Sequence, residues 1–288
     1  MNQVSFENGS LDKAYLEALR FTKSHYENFP VVSLFLPKNL QKHIAVVYEF
    51  ARKADDFADE GDMIAEYRIQ KLDSYENQFR KCLEGSYEND FWKALHNTIV
   101  QFNLTTQYFY DLISAFKQDV KKNRYDSYDE ILDYCRRSAN PVGRIILEFF
   151  GIKGNKLLTY SDAVCTALQL TNFYQDVSID IKKDRIYIPG DEMSTFYVAE
   201  EHFQLRKSDD NFKRLIKYQA DRTWELFRIG KNLIPELPRN LKRQIKMTIL
   251  GGEKILDKIA SLDYDVLNSR PRLSKFDYAA IFLKAFML

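Results

Sequence analysis

The stretch from Ala163 to Gln175 constrains the fold most, because it contains no charged residue, no glycine and no proline. Apolar residues occur around its whole circumference except along one polar line, which includes Gln169 and Asn172. A helix that is apolar on nearly every side is buried on nearly every side. The sequence therefore predicts a helix buried nearly all round, whose one polar line leads to the aspartates at 176 and 180.

A second stretch, from Arg52 to Glu60, repeats this arrangement at the end of an apolar helical pattern. Asp55 and Asp59 are four residues apart, so on a helix their carboxylates share one face, about 6 Å apart along the axis. Ile44 and other apolar residues lie on the same side, which is the side that a helix turns inward. Both pairs of aspartates are therefore expected to point toward the interior.

Four carboxylates that point inward need a cation, because uncompensated negative charge in a poorly solvated place is costly and otherwise takes up protons. Oxygen-only ligands indicate a hard ion. Mg²⁺ in particular takes one or two carboxylates, keeps waters and fills its other positions with substrate phosphates. The two motifs together predict a Mg²⁺ site for a diphosphate, although either motif alone is also typical of a solvated helix end.

The rest of the chain indicates an all-α protein. Helical patterns follow one another with short breaks, no stretch alternates as a strand does, and only 10 Gly and 7 Pro are present. A helix is expected from Leu11 to Asn28 with Ser10 as its cap. The segments Asp62 to Gly85 and Glu88 to Lys122 are expected to be scaffold. The end, Phe276 to Leu288, is expected in the core by default, with a membrane-touching tail as the alternative.

Composition excludes several classes of protein. The formal net charge of +1 argues against a general nucleic-acid surface. Three cysteines at 82, 135 and 165 form no zinc or redox spacing, which favours a reducing cytoplasmic setting. Met1 to Asp12 lacks the pattern of a signal peptide, and no segment reaches the roughly 18 apolar residues of a membrane span. The expected protein is soluble and cytoplasmic, or peripheral to the inner face of the membrane.

Arginines cluster where a helical pattern breaks between Tyr134 and Gly151. Pro141 and Gly143 interrupt the pattern and leave Arg136 and Arg137 close to the break. The planar, permanently charged guanidinium suits phosphate. These arginines are therefore candidates for binding a diphosphate, with a solvated helix end as the open alternative.

Five segments distributed over almost the whole chain form one combined pattern. They are Arg52 with Asp55 to Asp59; Gln169 to Asp180 with the closing Asp184 to Pro189; His25 to Pro30 before Leu36 and Pro37; Tyr134 to Gly143; and Arg270 to Ser274. In these segments the chain resembles the squalene/phytoene synthase family of head-to-head prenyl diphosphate enzymes. It is most similar to the bacterial hydroxysqualene synthase branch of hopanoid biosynthesis.

This resemblance implies an isoprenoid-synthase-type helical bundle around a central cavity, formed as a single domain over residues 1–288. It implies catalytic roles for Asp55, Asp59, Asp176 and Asp180, with Asp56 and Asn172 as further ligands of Mg²⁺. It implies substrate binding by Arg52, Arg136, Arg137, Gln169, Asn172, Arg185, Tyr187 and His25. Aromatic faces such as Phe173, Tyr174 and Phe57 are expected to stabilise a carbocation.

The resemblance further implies conversion of presqualene diphosphate and water to hydroxysqualene and diphosphate. Two departures from the family pattern affect this expectation. Squalene and phytoene synthases usually have an aromatic residue, often Tyr, in the position taken here by Arg136 or Arg137, and that Tyr is associated with the cyclopropane-forming step. Relatives also commonly have Arg and Glu where this chain has Gln175 and Ile179.

Three alternatives remain open on the sequence. The first is condensation of two farnesyl diphosphates to presqualene diphosphate or dehydrosqualene at the same metal site. The second is a reductive squalene synthase, which would need NADPH. The third is a catalytically silent family member that acts as an assembly or binding protein. The expected partners are a prenyl diphosphate substrate, companion enzymes of the pathway and a membrane surface that receives the product.

Overall fold

The computed structural model describes residues 2–24, 36–61 and 63–286, with side chains from residue 9 onward. These residues form thirteen α-helices, α1 to α13, and the part of the chain that is described contains no β-strand. The all-α prediction is confirmed. The chain divides into two compact units, which are residues 1–121 with 144–153, and residues 122–143 with 154–288. The single domain over 1–288 and its central cavity stay predictions.

Five helices and most of a sixth build the first unit around an aromatic core. Phe50 of α2 is fully buried, and its ring centroid lies 5.1 Å from that of Phe79, 5.2 Å from that of Phe109 and 6.2 Å from that of Trp92. This core fixes the middle of α2, so the acidic end of the helix projects from a rigid base. The helices are α1 (Asn2–Ser24), α2 (Lys38–Asp59), α3 (Ala65–Leu83), α4 (Asp90–Phe102), α5 (Gln107–Lys121) and α7 (Asn140–Phe149).

Two helix ends in this unit have clear physical causes. The helix α2 ends at Asp59, because the backbone turns to an extended conformation at Glu60, with ψ 152°, and Gly61 follows in the left-handed region with φ +74°. The start of α1 differs from the expected cap at Ser10, since the helix begins at Asn2. The Ser10 hydroxyl instead donates to Asp90 Oδ1 at 2.9 Å, which ties α1 to the start of α4.

A buried histidine adds a polar element to the first unit. His43 of α2 packs edge-on against Tyr15 and Phe102, and its Nδ1 lies 2.8 Å from Thr98 Oγ1. Burial lowers the pKa of His43 to about 4, with a smaller contribution from the charge of Lys42. The imidazole is therefore neutral at physiological pH.

The second unit is organised around α8, which packs against α6, α11 and α12. Most of α8 between residues 161 and 178 is buried, while Gln169 is half-buried and Asn172 is exposed, which confirms the predicted buried helix with one polar line. The helices are α6 (Tyr128–Ser138), α8 (Asn155–Asp180), α9 (Gly190–Thr195), α10 (Glu200–Gln204), α11 (Asp210–Gly230), α12 (Arg239–Ser261) and α13 (Lys275–Phe286), with short 3₁₀ turns at Ile181–Lys183 and Lys231–Glu236.

Glycines from three helices contact α8 with their backbones. A Cβ on Gly143 would lie 2.5 Å from both Cys165 Sγ and Ser161 Oγ, and one on Gly230 would lie 2.5 Å from Val164 Cγ2. A Cβ on Gly252 would lie 2.9 Å from Leu168 Cδ2 and 2.5 Å from Phe227 Cζ. Since such distances are shorter than van der Waals contact, these helices approach α8 only because side chains are missing.

The C-terminal helix α13 departs from the expectation that it lies in the core. Ile281 and Ala285 are buried, but Phe276, Phe282, Leu283 and Phe286 are exposed. The helix is apolar on two opposite faces, so a simple count of apolar residues does not reveal that one of them is uncovered. None of the described helices combines the length and the apolar character needed to cross a bilayer.

Candidate functional site

The first acidic motif occupies the last two turns of α2. The Arg52 guanidinium contacts three carboxylates, with Nη1 3.3 Å from Asp55 Oδ2, Nε 2.7 Å from Asp56 Oδ1 and Nη2 2.9 Å from Glu60 Oε1. The single guanidinium of Arg52 is therefore shared by three carboxylates, and Asp59 adds a fourth carboxylate at the same end of the helix. The predicted residues of this motif lie together, and the motif has an excess of negative charge.

This excess is reflected in the pKa of Asp55, which is raised to about 7 although 39% of the side chain is exposed. Loss of hydration among the surrounding protein atoms is the largest cause. The Arg52 charge opposes it, while Asp59, Asp119 and Asp56 add to it in that order. Among the charges that act on Asp55, one guanidinium is therefore opposed by three other carboxylates.

Asp119 is a member of this acidic cluster that the sequence analysis missed. It lies on α5, in a segment expected to be scaffold, and its charge contributes to the raised pKa of Asp55. Phe109, Leu112 and Phe116 form the buried stripe of α5. Asp119 continues that stripe by one step of three residues, so an acid at the end of a buried stripe was the available signal.

The donor set fits a divalent cation of the Mg²⁺ type. The groups that converge are carboxylates, and their mutual repulsion adds to the desolvation that raises the pKa of Asp55, against the opposing charge of Arg52. Within the described ranges, no three or more acidic, histidine or cysteine side chains are arranged to hold a metal ion by themselves. Mg²⁺ commonly takes only one or two protein carboxylates and completes its shell with waters and phosphate oxygens. The partial protein shell therefore suits an ion bound together with a diphosphate.

The second acidic motif has its own arginine. Arg270, in the segment between α12 and α13, binds Asp176 through both carboxylate oxygens, with Nε 2.5 Å from Oδ1 and Nη2 3.1 Å from Oδ2. The buried Gln175 donates from Nε2 to the carbonyl of Pro271 at 2.8 Å, which holds this segment against α8. The sequence analysis included Arg270 only as part of a flanking segment. Its partner is 94 residues away, so no local pattern reveals the pair.

The other predicted residues of this motif extend along α8 and just beyond it. Gln169, Asn172, Asp176 and Asp180 follow one another on the polar line, and Asp180 is the last residue of the helix. The backbone amide of Arg185 donates to the Asp180 carbonyl at 3.0 Å, which turns the chain directly after the motif. Asn172 is exposed and the side chains of Asp176 and Asp180 are partly exposed, so these groups are accessible to a ligand.

Tyr187 belongs to an aromatic cluster next to the second motif. Its ring stacks on Phe173 of α8 with 4.0 Å between centroids and 5° between planes, and Tyr125 and Tyr134 lie 5.6 and 6.0 Å from it. Tyr174 is buried as well, and its hydroxyl donates to Gln219 Oε1 at 2.9 Å, which ties its ring to α11.

The ring of Phe57, expected to face a carbocation, packs elsewhere. It makes an edge contact with Tyr75 at 5.5 Å, and Lys71 Nζ lies 5.5 Å from its centroid. A lysine on the ring occupies the face that a substrate cation would need. His25, the remaining predicted substrate contact, lies outside the described residues.

The predicted break near Pro141 is present, since α6 ends at Ser138 and α7 begins at Asn140. Arg136 and Arg137 are in the last turn of α6 and share the carboxylate of Asp133, at 2.9 and 2.7 Å respectively. The two arginines differ in position, because 65% of the Arg136 side chain is exposed and only 22% of that of Arg137. Two guanidiniums thus share one carboxylate at the end of the helix.

Comparison with known proteins agrees with this arrangement. The sequence model of the squalene/phytoene synthase family matches residues 22–277. A hydroxysqualene synthase of Rhodopseudomonas palustris is 30% identical over 268 residues, which are 90% of this chain and 88% of that protein. A 15-cis-phytoene synthase of Synechococcus elongatus is 28% identical over 273 residues, covering 91% of this chain and 88% of that protein. The crystal structure of the squalene synthase HpnC from Alicyclobacillus acidocaldarius superposes with a TM-score of 0.83 at 39% identity, covering 88% of this chain and 95% of that chain.

Proposed function

The chain belongs to the squalene/phytoene synthase family, and from that membership we propose that it converts presqualene diphosphate and water to hydroxysqualene and diphosphate. In this reaction the bond between carbon and the diphosphate oxygen breaks, and both electrons leave with the diphosphate. The cyclopropane ring opens, and water supplies the hydroxyl oxygen and releases one proton. No reductant is consumed, so the reaction needs no NADPH.

The observation that carries this proposal is the pair of arginines at the end of α6. Squalene and phytoene synthases usually have an aromatic residue, often Tyr, where this chain has Arg136 or Arg137. A condensing enzyme must remove a proton during cyclopropane closure, and arginine is a poor base because it stays protonated. The same guanidinium is a good ligand for phosphate. The substitution therefore favours a substrate in which the cyclopropane is already formed.

Arg137 is the better candidate of the two for binding the diphosphate. Asp133 holds its guanidinium at 2.7 Å, and its side chain is largely covered, so it loses little freedom when it binds a ligand. Arg136 shares the same carboxylate but extends into solvent.

The aspartates of each motif would hold Mg²⁺, which when bound neutralises the negative charge that develops on the leaving diphosphate. A different arginine orients the aspartates of each motif. Arg52 orients Asp55 and Asp56, and Arg270 orients Asp176. Both arginines keep carboxylate oxygens in fixed directions and can also donate to diphosphate oxygens.

The aromatic cluster of the second unit suits the cation that remains after the diphosphate leaves. Phe173 presents an apolar ring without a nucleophile, and Tyr187 fixes that ring by stacking on it. An aromatic face stabilises a nearby cation by about 0.5 to 2 kcal/mol. This cluster would protect the cation from water except at the carbon that receives the hydroxyl group.

The test is a product analysis with purified protein and Mg²⁺. Presqualene diphosphate and farnesyl diphosphate are supplied separately, with and without NADPH, and the organic products are identified by mass spectrometry. We expect hydroxysqualene from presqualene diphosphate without NADPH, and much slower use of farnesyl diphosphate. Efficient conversion of farnesyl diphosphate alone to a C30 product would require withdrawal of the proposal. An absolute need for NADPH would indicate a squalene synthase, and no turnover of either substrate would indicate a silent family member.

A second candidate is the condensation of two farnesyl diphosphates. The 28% identity with a 15-cis-phytoene synthase over 91% of the chain supports a condensing activity, because that relative is named for a product of prenyl condensation, although one longer than two farnesyl groups give. Two buried tyrosines, Tyr134 and Tyr187, lie beside Phe173. Their phenol groups could take part in the proton removal that a permanently protonated arginine performs poorly. The assay above separates the two candidates by the substrate that is consumed.

A further inference from the structure

Arg124, in the loop before α6, contacts the segment 184–191 that follows the second aspartate motif. Its Nε donates to Glu200 Oε1 at 2.8 Å, and its Nη2 donates to Glu200 Oε2 at 3.0 Å and to Asp184 Oδ1 at 2.7 Å. Its Nη1 donates to the carbonyl of Asn123 at 2.9 Å and to that of Asp184. A guanidinium has five N–H donors. All five donors of Arg124 are therefore used within the protein, so this arginine is suited to orient protein groups and not to bind a substrate.

The residue that Arg124 holds, Asp184, has a backbone conformation that needs support. Its φ of +55° lies in the left-handed region, which costs free energy for any residue with a side chain, although aspartate adopts it more readily than most. Its carboxylate is bound at both oxygens, by Arg124 at Oδ1 and by Asn123 Nδ2 at Oδ2, 2.8 Å away. Arg124 thus fixes the turn after α8 through both the peptide carbonyl and the side chain of Asp184.

Backbone hydrogen bonds continue this attachment along the segment 184–191. The backbone amide of Ile186 donates to the carbonyl of Asn123 at 3.0 Å, and that of Gly190 donates to the carbonyl of Tyr125 at 2.9 Å. Arg124 lies between these two acceptors in the sequence. Its side chain and the carbonyls of its neighbours therefore hold the same short segment.

Tyr187 lies between the two attached amides, and its ring stacks on Phe173 of α8 with 4.0 Å between centroids. We propose that Arg124 is a positioning residue, which holds Tyr187 and the Phe173 ring beneath it in the place where they face the cation. This proposal rests on the proposed function, since that reaction forms a cation when the diphosphate leaves.

The position of the two rings decides where the cation reacts. With the rings in place, water adds at one carbon, and one proton is released to solvent. With the rings displaced, water reaches other carbons, or the cation loses a proton directly and forms a double bond. Each route consumes only the cation and, for the alcohols, one water. A looser segment should therefore change the ratio of the products as well as the rate.

The experiment compares Arg124→Gln and Arg124→Lys with the unchanged protein, using presqualene diphosphate, Mg²⁺ and mass spectrometry of all C30 products. In Arg124→Gln we expect kcat to fall roughly tenfold with little change in KM, and isomeric alcohols and dienes to replace part of the hydroxysqualene. Arg124→Lys should lie between the two, because an ammonium keeps the charge but lacks the planar fork of five donors. Loss of folded protein would lower the rate and leave the product ratio unchanged.

The matched control is Arg228→Gln, which removes another arginine ion pair of the same unit, that with Glu225 at 2.7 Å. Its product ratio should equal that of the unchanged protein. A second measurement needs no substrate. Hydrogen exchange, followed on peptides that cover residues 184–191, should be faster in Arg124→Gln and unchanged in the control.

An unchanged product ratio in Arg124→Gln would overturn this proposal and leave the proposed function intact, and unchanged exchange over residues 184–191 would overturn it as well. If Arg124→Gln does not fold in thermal melts, the product ratio of Arg124→Lys decides. If the unchanged protein uses farnesyl diphosphate and not presqualene diphosphate, the proposed function fails, and the product ratio from farnesyl diphosphate decides on Arg124. Conversion of neither substrate would overturn both.

Discussion

The two aspartate motifs have the same spacing and opposite electrostatic surroundings. On α2, one guanidinium is divided among Asp55, Asp56 and Glu60, and the pKa of Asp55 is raised to about 7. On α8, Asp176 has an arginine of its own, Arg270, bound through both oxygens. In the first motif one guanidinium is thus shared by three carboxylates, while in the second motif an arginine pairs with one of the two aspartates.

Equal spacing of the aspartates in the two motifs therefore does not give them the same charge environment before a ligand binds. A cluster with surplus negative charge attracts cations but is destabilised by its own repulsion. A bidentate arginine pair orients the carboxylate and must rearrange or share it when another cation arrives. The two motifs should therefore respond differently to substitution and to added Mg²⁺.

The largest effect is expected from Asp55→Asn and Asp176→Asn, each of which should lower turnover at least 100-fold because a charge that Mg²⁺ needs is removed. The two variants should differ in stability. Asp55→Asn removes a repelling charge and should melt at the same temperature or higher. Asp176→Asn leaves Arg270 without its ion pair and should lose about 1 kcal/mol, or roughly 2 to 4 °C in Tm. Turnover assays and thermal melts measure both effects.

Unchanged turnover in both aspartate variants would contradict the assignment of the site. Equal losses of stability would contradict the electrostatic difference between the motifs while leaving the site assignment intact. Added Mg²⁺ should raise the Tm of the unchanged protein more than that of either variant, since fewer carboxylates remain to bind it.

At acid pH, the preference of protonated His43 for the unfolded state should lower the free energy of unfolding of the first unit, which contains α2, by about 3 kcal/mol. Its pKa is about 4 in the folded protein and about 6.5 when unfolded, so the unfolded state binds more protons between these values. The stability is present above pH 6.5 and is lost as the pH falls toward 4. Hydrogen exchange at the amides of α2 should therefore accelerate in this window more than exchange at those of α8.

The control for this prediction is His43→Gln, which keeps a polar group near Thr98 but does not titrate. Its free energy of unfolding should vary less between pH 7 and pH 4 than that of the unchanged protein. An equal loss in both proteins would show that carboxylates, and not His43, determine the response to acid.

Arg137→Ala should lower kcat/KM by about 10- to 100-fold, equivalent to about 1.5 to 3 kcal/mol of transition-state binding by a charged hydrogen bond. Arg136→Ala is the matched control on the next residue, and it should have a small effect because that side chain extends into solvent. Tm should change little in either variant. A larger effect for Arg136 would reverse the assignment of the phosphate contact.

The smallest effect is expected from Asp119→Asn, which removes the α5 carboxylate from the first motif. The Mg²⁺ concentration for half-maximal activity should rise a few-fold, as for a loss of about 0.5 to 1 kcal/mol from one partly solvated charge. Asp111→Asn, on the same helix, is the control and should leave the Mg²⁺ dependence unchanged. A titration of activity with Mg²⁺ distinguishes the two variants.

The features predicted from the sequence are those that local periodicity encodes. The charge-free run in α8 predicts a buried helix because burial requires apolar residues at every turn, and the structure confirms it. The four-residue spacing of Asp55 and Asp59 places both at one helix end, where Arg52 also contacts the motif. Periodicity is a property of neighbouring residues, so a single helix suffices to reveal it.

The features that the sequence did not reveal depend on distant partners. Serine is a typical N-cap residue, yet the hydroxyl of Ser10 donates to Asp90, which is 80 residues away. The pair of Arg270 and Asp176 spans 94 residues, and Asp119 acts on Asp55 from another helix. The two faces of α13 are equally apolar, so only the packing of α12 decides which of them is buried. The pattern of residues along one helix does not indicate which other helix packs against each of its faces.

The three glycines that touch α8 determine which mutations this protein can accept. Gly230 has the least freedom, because a Cβ there would meet the β-branched Val164 at 2.5 Å and its backbone nitrogen at 3.1 Å. Substitution at 143, 230 or 252 would push a helix away from the segment 161–168, which is the base of the polar line. In a library of single mutants these positions should tolerate almost no replacement. New specificity in this scaffold would therefore have to evolve through the polar line beyond residue 168, where Gln169 is half-buried and Asn172 is exposed.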